Sequence, residues 1–247
     1  MYQDFARVYD RLMADVDYEG WASHYQRLLA LYGIHPGARV CECACGTGSL
    51  TAPLARHFSM TGVDISQEML SVAADKLRAQ GLQLPLIRQD MQQLRLHRLQ
   101  DAILCTCDGV NYLSSPQALP RFLESAHTAL RPGGALCFDV SSLYKLSQIL
   151  GDKTQVNTQG DCHYIWYNSW QQAQRLLHLR LYLYVKGADG RYEHFVEEQL
   201  QRGYSAGELR EALTEAGFED IRLYGDMSLS PPRDDAQRLH LCARKPH

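Results

Sequence analysis

Residues 41–50 read CECACGTGSL, the end of a short apolar run that breaks into two glycines and then enters SLTAPLARHF, which has helical spacing. A strand that feeds a glycine turn and then a helix brings bare backbone and free helix N–H groups to one point. That geometry suits a polar or charged cofactor, and Gly46 and Gly48 stand at the junction. The same stretch carries Cys41, Cys43 and Cys45, so it also raises the question of a metal or redox centre.

The periods on either side alternate. Phe5, Val8, Tyr9 and Leu12, then Trp21, Tyr25, Leu28 and Leu29, recur at helical spacing, and Gly33 with Pro36-Gly37 ends that segment. MTGVDI is extended; SQEMLSVAADKLRAQG is an amphipathic helix with Ser66 as N-cap and Gly81 as stop. LPLIRQD, DAILCTC and GALCFDV are further apolar strands, with a helix in SPQALPRFLESAHTALRPGG. Strands alternating with helices predict right-handed crossovers and a mostly parallel sheet covered on both faces. After Val140 the pattern changes to aromatic, alternating stretches: HYIWYNSW, RLLHLRLYLYVK and RYEHFVEEQLQRGY, with Gly187-Ala188-Asp189-Gly190 as a turn. These predict a small antiparallel sheet over about 155–203. A helix in SAGELREALTEAG, with Ser205 as cap, and two strands in FEDIRLYG and QRLHLCARK close the chain. The expected organisation is one domain: a helical lid (1–35), a cofactor-binding core (36–141), the inserted sheet, and a C-terminal helix and hairpin (204–247).

Asp64 ends the strand after the glycine loop, and Asp90 ends the next one. Neighbouring strand tips of a parallel sheet share one edge, so Asp64 is placed to accept from a ribose diol, and three such tips describe an adenosine site. The third small position of the dinucleotide fingerprint is Thr51, which counts against a nicotinamide oxidoreductase.

Glu42-Cys43-Ala44-Cys45-Gly46-Thr47-Gly48 resembles the first motif of class I S-adenosylmethionine-dependent methyltransferases, usually E/D-x-G/A-C-G-T-G. Gly62-Val63-Asp64 resembles their second motif, Gln89-Asp90-Met91 their third, and Leu130-Arg131-Pro132-Gly133-Gly134 the segment before their fifth strand. Four matches in order cover about residues 38–140; FARVYDRLM and CDGVNYL are similar to small bacterial methyltransferases of undefined substrate. The resemblance implies an α/β, Rossmann-like, seven-stranded, mostly parallel sheet with an antiparallel hairpin at one edge, and S-adenosylmethionine as cofactor. It also implies roles. Glu42 would meet the methionine amino end, often through water, the backbone at Ala44 and Gly46 would line the methionine part, Gly48 would also bind the cofactor, and Asp64 would hold the ribose. Ile65 would lie against the adenine, Asp90 would accept from its amino group, and the Met91 N–H would face the ring. Ala44 stands where many members have glycine.

The cofactor carries the reactive group, so the protein's task is to orient and desolvate. Asp108, Asn111 and Tyr112 follow the fourth strand at the ligand-binding edge and are the candidates for the methyl end, with Asp108 also beside the cofactor. Asn111 and Tyr112 have a capping and packing reading as well. Tyr9 is a candidate lid residue. His163, Trp166, Tyr167 and Trp170 decorate the insertion, where aromatics more often pack than bind. The cysteines alternate within strands, unlike zinc hairpins, and read as small buried hydrophobes; no metal site is expected.

The expected reaction is methyl transfer to a nitrogen or oxygen of a small molecule. A nucleic-acid methyltransferase would share this core, but the fourth strand ends in Cys105-Thr106-Cys107-Asp108 where base-amino methylating enzymes have D/N-P-P-Y/F. The 25 basic and 28 acidic residues give a net charge of −3 and no basic stripe for nucleic acid. A cofactor-binding protein without catalysis would keep the same fold. The N-terminus lacks a signal-peptide pattern, no apolar run spans a bilayer, and eight cysteines without an export signal point to the cytoplasm.

Overall fold

The structure, a computed structural model, describes residues 5–187 and 189–247; residues 1–4, the Phe5 and Arg7 side chains, and Ala188 of the expected turn lie outside the described residues. The run RVCEC forms β1 (Arg39–Cys43) at the centre of the main sheet. Around it, in chain order, lie α3 (Thr51–Leu54), β2 (Ser59–Asp64), α4 (Gln67–Ala79), β3 (Leu86–Arg88), β4 (Gln100–Cys105), α5 (Ala118–Ala129) and β5 (Leu130–Ser141). Two helices precede them, α1 (Phe5–Leu12) and α2 (Tyr18–Ala30). After the insertion come α6 (Ala206–Glu215), β10 (Glu219–Gly225) and β11 (Arg238–Arg244). The sheet order is β10-β11-β5-β4-β1-β2-β3. β1 to β5 run parallel, and the β10–β11 hairpin is antiparallel.

Both faces are covered, as continuous apolar strands require. Phe122 and Leu123 of α5 pack with Leu209 and Leu213 of α6 on one face. Tyr25, Leu28 and Leu29 of α2 pack with Leu54 on the other. Local signals act where they were expected: the Ser66 hydroxyl accepts the Met69 N–H at 3.2 Å, and Gly81 ends α4 at φ +72°. The two sets of helical spacing in the N-terminal segment form two helices, because a turn at Met13–Val16 separates them and the Asp17 carboxylate caps α2 by accepting the Gly20 N–H at 2.9 Å.

The insertion is an antiparallel sheet in the order β6 (Thr154–Gln159), β7 (Cys162–Gln171), β8 (Leu176–Lys186), β9 (Tyr192–Arg202). Alternation predicts three of these strands. The fourth, β6, reads TQVNTQ and has almost no buried residue, so it gives no apolar signal; pairing with β7 alone defines it. On β8 the buried residues are Leu177, Leu179, Leu181, Leu183 and Val185. Leu181, Leu183 and Val185 meet Ala6 and Val8 of α1 and Met69 of α4, so the lid helix shares one small core with the insertion. Among the described residues, no helix is long and apolar enough to cross a membrane.

β1 and β4 are neighbours, and Cys43 stands opposite Cys105. Cys41, Cys43 and Cys105 lie in the core under α5, and all eight cysteines are free thiols. Among the described residues, no three His, Cys, Asp or Glu side chains gather into a group that could hold a metal. Packing makes a specific forecast. Cys43→Ala should lose about 1 kcal/mol, the scale of a small buried apolar group. Cys43→Ser should lose more, by ~1–3 kcal/mol, because it buries a hydroxyl. Chemical denaturation of the two variants checks it; equal losses would contradict packing as the role.

Candidate active site

The glycine loop turns sharply as it leaves β1. Ala44, Gly46 and Gly48 all have left-handed backbone, at φ +53°, +54° and +72°. At Gly48 the reason is also spatial, since an added Cβ would come 3.2 Å from the Ala73 Cβ of α4. Asp64, at the tip of β2, holds the turn: one carboxylate oxygen accepts the Gly46 N–H at 2.8 Å and the other accepts the Ser66 N–H at 2.9 Å. Burial raises the Asp64 carboxyl above its ordinary range, and these N–H donors oppose the rise.

The loop opens onto a cavity of about 570 Å³. Ala44, Gly46, Asp64, Ile65, Asp90 and Met91 all reach its wall, with Tyr9 of α1 across from them. Ile65 is 60% exposed, an apolar platform beside two carboxylates. Glu42 and Gly48 do not reach the wall. Glu42 lies behind the loop, 1% exposed, and accepts the Thr51 hydroxyl at 2.5 Å and the Thr106 hydroxyl at 2.8 Å. The donor set fits an adenosine with an amino-acid tail: carboxylates for hydroxyl and amino groups, an apolar platform for a ring, and bare backbone at Gly46.

Helix α1 is fastened over this loop. The Lys76 ammonium of α4 lies 2.7 Å from the Asp10 carboxylate and donates to Ser49 Oγ at 2.6 Å. The Thr47 hydroxyl donates to the same Asp10 at 2.6 Å. Tyr9, next to Asp10, therefore lies at the boundary of the first cavity and a second, smaller one of about 190 Å³. Cys107, Tyr112 and Gln199 line both cavities as well.

The three candidates at the methyl end have separate fates. The Tyr112 hydroxyl donates to Gln199 Oε1 at 2.8 Å, on the boundary itself. Asn111 is fully buried and lines neither cavity: its amide donates to the Ser141 and Arg202 carbonyls at 3.1 and 2.9 Å and accepts the Ser141 N–H at 2.9 Å. It joins β5 to the end of β9. Asp108 lies on the second cavity, not the first, ion-paired with Arg238. Of the four aromatics noted on the insertion, Trp166 lines the second cavity. His163 bonds Thr158 and Tyr192, Tyr167 stacks edge-on with Tyr182, and Trp170 packs against Leu177 and its neighbours. Arg238, Glu197 and Gln199 were not singled out from sequence; they lie far along the chain from every motif, and polar residues in alternation with Val196 and Leu200 give the only local hint.

Burial pushes the Glu42 carboxyl up to about 7, against an ordinary value of 4.5, while Thr51 and Thr106 pull the other way. A carboxyl whose folded pKa is raised binds its proton more tightly in the folded state, so stability falls as pH climbs from about 4.5 to about 7. The loss approaches 3 kcal/mol on the order of magnitude above that window and vanishes below it. Glu42→Gln should therefore gain thermal stability relative to the parent at pH 8, and the gain should disappear near pH 4. Melting temperatures across that range check it, with a pH-independent difference as the contrary outcome.

Residues 40–134 match the methyltransferase domain family. A protein of Geobacillus sp. (strain WCH70), provisionally named a methyltransferase, is 32% identical over 99% of both chains. The crystal structure of an S-adenosylmethionine-dependent methyltransferase from Clostridium acetobutylicum ATCC 824 superposes with a TM-score of 0.90 at 30% identity, covering 100% of this chain and 99% of that one. A SAM-bound amino pentose methyltransferase from Micromonospora echinaspora shares the fold at a TM-score of 0.75 and 19% identity, over 99% and 98% of the two chains. The glycine loop on Asp64, the carboxylate-lined cavity beside it and full-length similarity at these levels agree, and the chain belongs to the class I S-adenosylmethionine-dependent methyltransferases.

Proposed function

We propose that this methyltransferase acts on a nitrogen or oxygen of a small molecule, with the cofactor in the larger cavity and the acceptor in the smaller. The observation that carries the reading is the shared wall: Tyr9, Cys107, Tyr112 and Gln199 border both spaces, so a group held in one faces a group held in the other. When bound, S-adenosylmethionine supplies an electrophilic methyl group on a sulfonium sulfur. The residues around it need to orient and exclude water, and positioning of this kind lowers a barrier by as much as ~7–11 kcal/mol.

Asp64 has spare acceptor capacity after its two backbone bonds, which suits the ribose hydroxyls. Asp90 faces the same cavity for the adenine amino group, with Ile65 and the Met91 N–H toward the ring. The backbone of Ala44 and Gly46 borders the methionine portion, and Glu42 acts on its amino end through water, in keeping with its place behind the wall. Eight unpaired thiols support action in the reducing cytoplasm. The small second cavity and the acidic overall charge favour a small acceptor over nucleic acid.

Asp64→Ala should weaken S-adenosylmethionine binding by about 1–3 kcal/mol through lost charge-assisted hydrogen bonds, read by calorimetry. Unchanged affinity would mean the ribose lies elsewhere. For the acceptor, the protein is incubated with methyl-labelled S-adenosylmethionine and a cell extract separated into small molecules, RNA and protein. Label is expected in the small-molecule fraction, and label confined to RNA or protein would refute the proposal.

A further inference from the structure

Helix α2 meets the main sheet through a pair of histidines. His24 of α2 and His240 of β11 are both 0% exposed, and their rings lie 4.6 Å apart, edge to face. The Trp21 and Tyr25 rings flank His240 at 5.8 and 5.7 Å. Among the described residues, neither ring nitrogen of His24 has a hydrogen-bond partner. Nδ1 of His240 faces the Tyr25 hydroxyl at 3.3 Å, and that hydroxyl donates to Asp139. A buried polar atom without a partner is costly, and an apolar ring would avoid the cost. The pair lines neither cavity, but its neighbours do: Tyr18 and Trp21 of α2 and Arg238 of β11 form part of the second cavity's wall.

The surroundings accept the two rings only while both are neutral. The charged groups that face them are Arg27 on α2, Arg238 on β11, Asp139 on β5, Asp226 after β10 and Asp108 after β4. The two arginines repel a protonated ring. The three carboxylates attract it, yet each is engaged elsewhere: Asp108 and Asp139 with Arg238, and Asp226 with the Gln237 and Arg238 N–H groups. Burial pushes His24 down to about 4, with His240 and Arg27 adding to it. Burial likewise pushes His240 down to about 3, with Arg238 adding to it, and the carboxylates oppose both shifts. A ring released into water returns to its ordinary value of 6.5 and binds a proton that the docked ring refuses. The docked form therefore keeps its full advantage above about pH 6.5 and loses it as pH falls toward 4.

We propose that the His24–His240 pair is an acid-sensitive latch: while neutral it seats α2 on β5 and β11, and on protonation it releases α2, so that Tyr18 and Trp21 leave the wall of the second cavity. The apolar contacts of Leu28 and Leu29 hold α2 at any pH, so the histidines alone set the direction of the response.

The test is hydrogen–deuterium exchange read by mass spectrometry on the full chain, from pH 6.5 to 4.5, with α2 compared against α5 and α6. Base-catalysed exchange slows in proportion to hydroxide, about tenfold per pH unit, and α5 and α6 should follow that slope. Release of α2 with uptake of two protons gains up to about a hundredfold per pH unit, so α2 should exchange faster as the pH falls. His24→Phe should remove about tenfold per unit of that gain. His24→Phe combined with His240→Phe should return α2 to the slope of α5, with the Asp17 cap and the Glu19–Arg56 pair left in place. If the double variant does not fold, the parent's α2 and α5 slopes and the single variant still decide the matter. An α2 slope parallel to that of α5 in the parent, equal acceleration of all three helices, or acceleration that persists in the variants overturns the proposal.

Discussion

One buried carboxylate, Asp139, organises the wall of the second cavity. It is fully buried at the end of β5 and accepts the Tyr25 hydroxyl at 2.9 Å, the Cys107 N–H at 2.8 Å and the Asp108 N–H at 3.1 Å. Cys107 and Asp108 both have left-handed backbone, at φ +53° and +67°. Two successive non-glycine residues in that region cost on the order of 1–2 kcal/mol each, and the charge-assisted N–H bonds offset it. Burial raises the Asp139 carboxyl, and the Arg238 guanidinium opposes the rise. A buried carboxylate without such a cation would cost several kcal/mol. Arg238 sits 99 residues downstream, and the antiparallel pairing of β11 with β5 delivers it. The C-terminal hairpin thus completes the wall of the second cavity as well as the sheet.

That dependence explains which parts of the site were legible. The wall of the larger cavity draws on residues close in sequence to the strand tips: Gly46, Asp64, Ile65, Asp90 and Met91 each follow from a strand end and a turn, and all reach that one cavity. The second cavity is assembled from α1, α2, residues 107–112, β7, β8, β9 and β11, so its pairs lie tens to more than a hundred residues apart. Asp108 follows β4 at the ligand-binding edge of the sheet, yet its partner Arg238 has no local signature. Asn111 follows the same strand, and its three backbone bonds join the two sheets. Strand β6 escaped because TQVNTQ carries neither alternation nor burial.

Of the contacts that tie the insertion to the core, two differ in strength. At the base of β9, the Asn111 amide bonds three backbone groups, two of them in buried contacts with Ser141, and these cannot separate without leaving unpaired polar atoms. The opposite side is closed by α1, through Ala6 and Val8 against the insertion and through the Asp10–Lys76 pair at the glycine loop. That ion pair is partly exposed and contributes about 1 kcal/mol at most. An opening that gives access to both cavities is therefore least costly at α1. Because Tyr9 borders both spaces and Asp10 bonds the loop at Thr47, movement of that one helix would act on both cavities together.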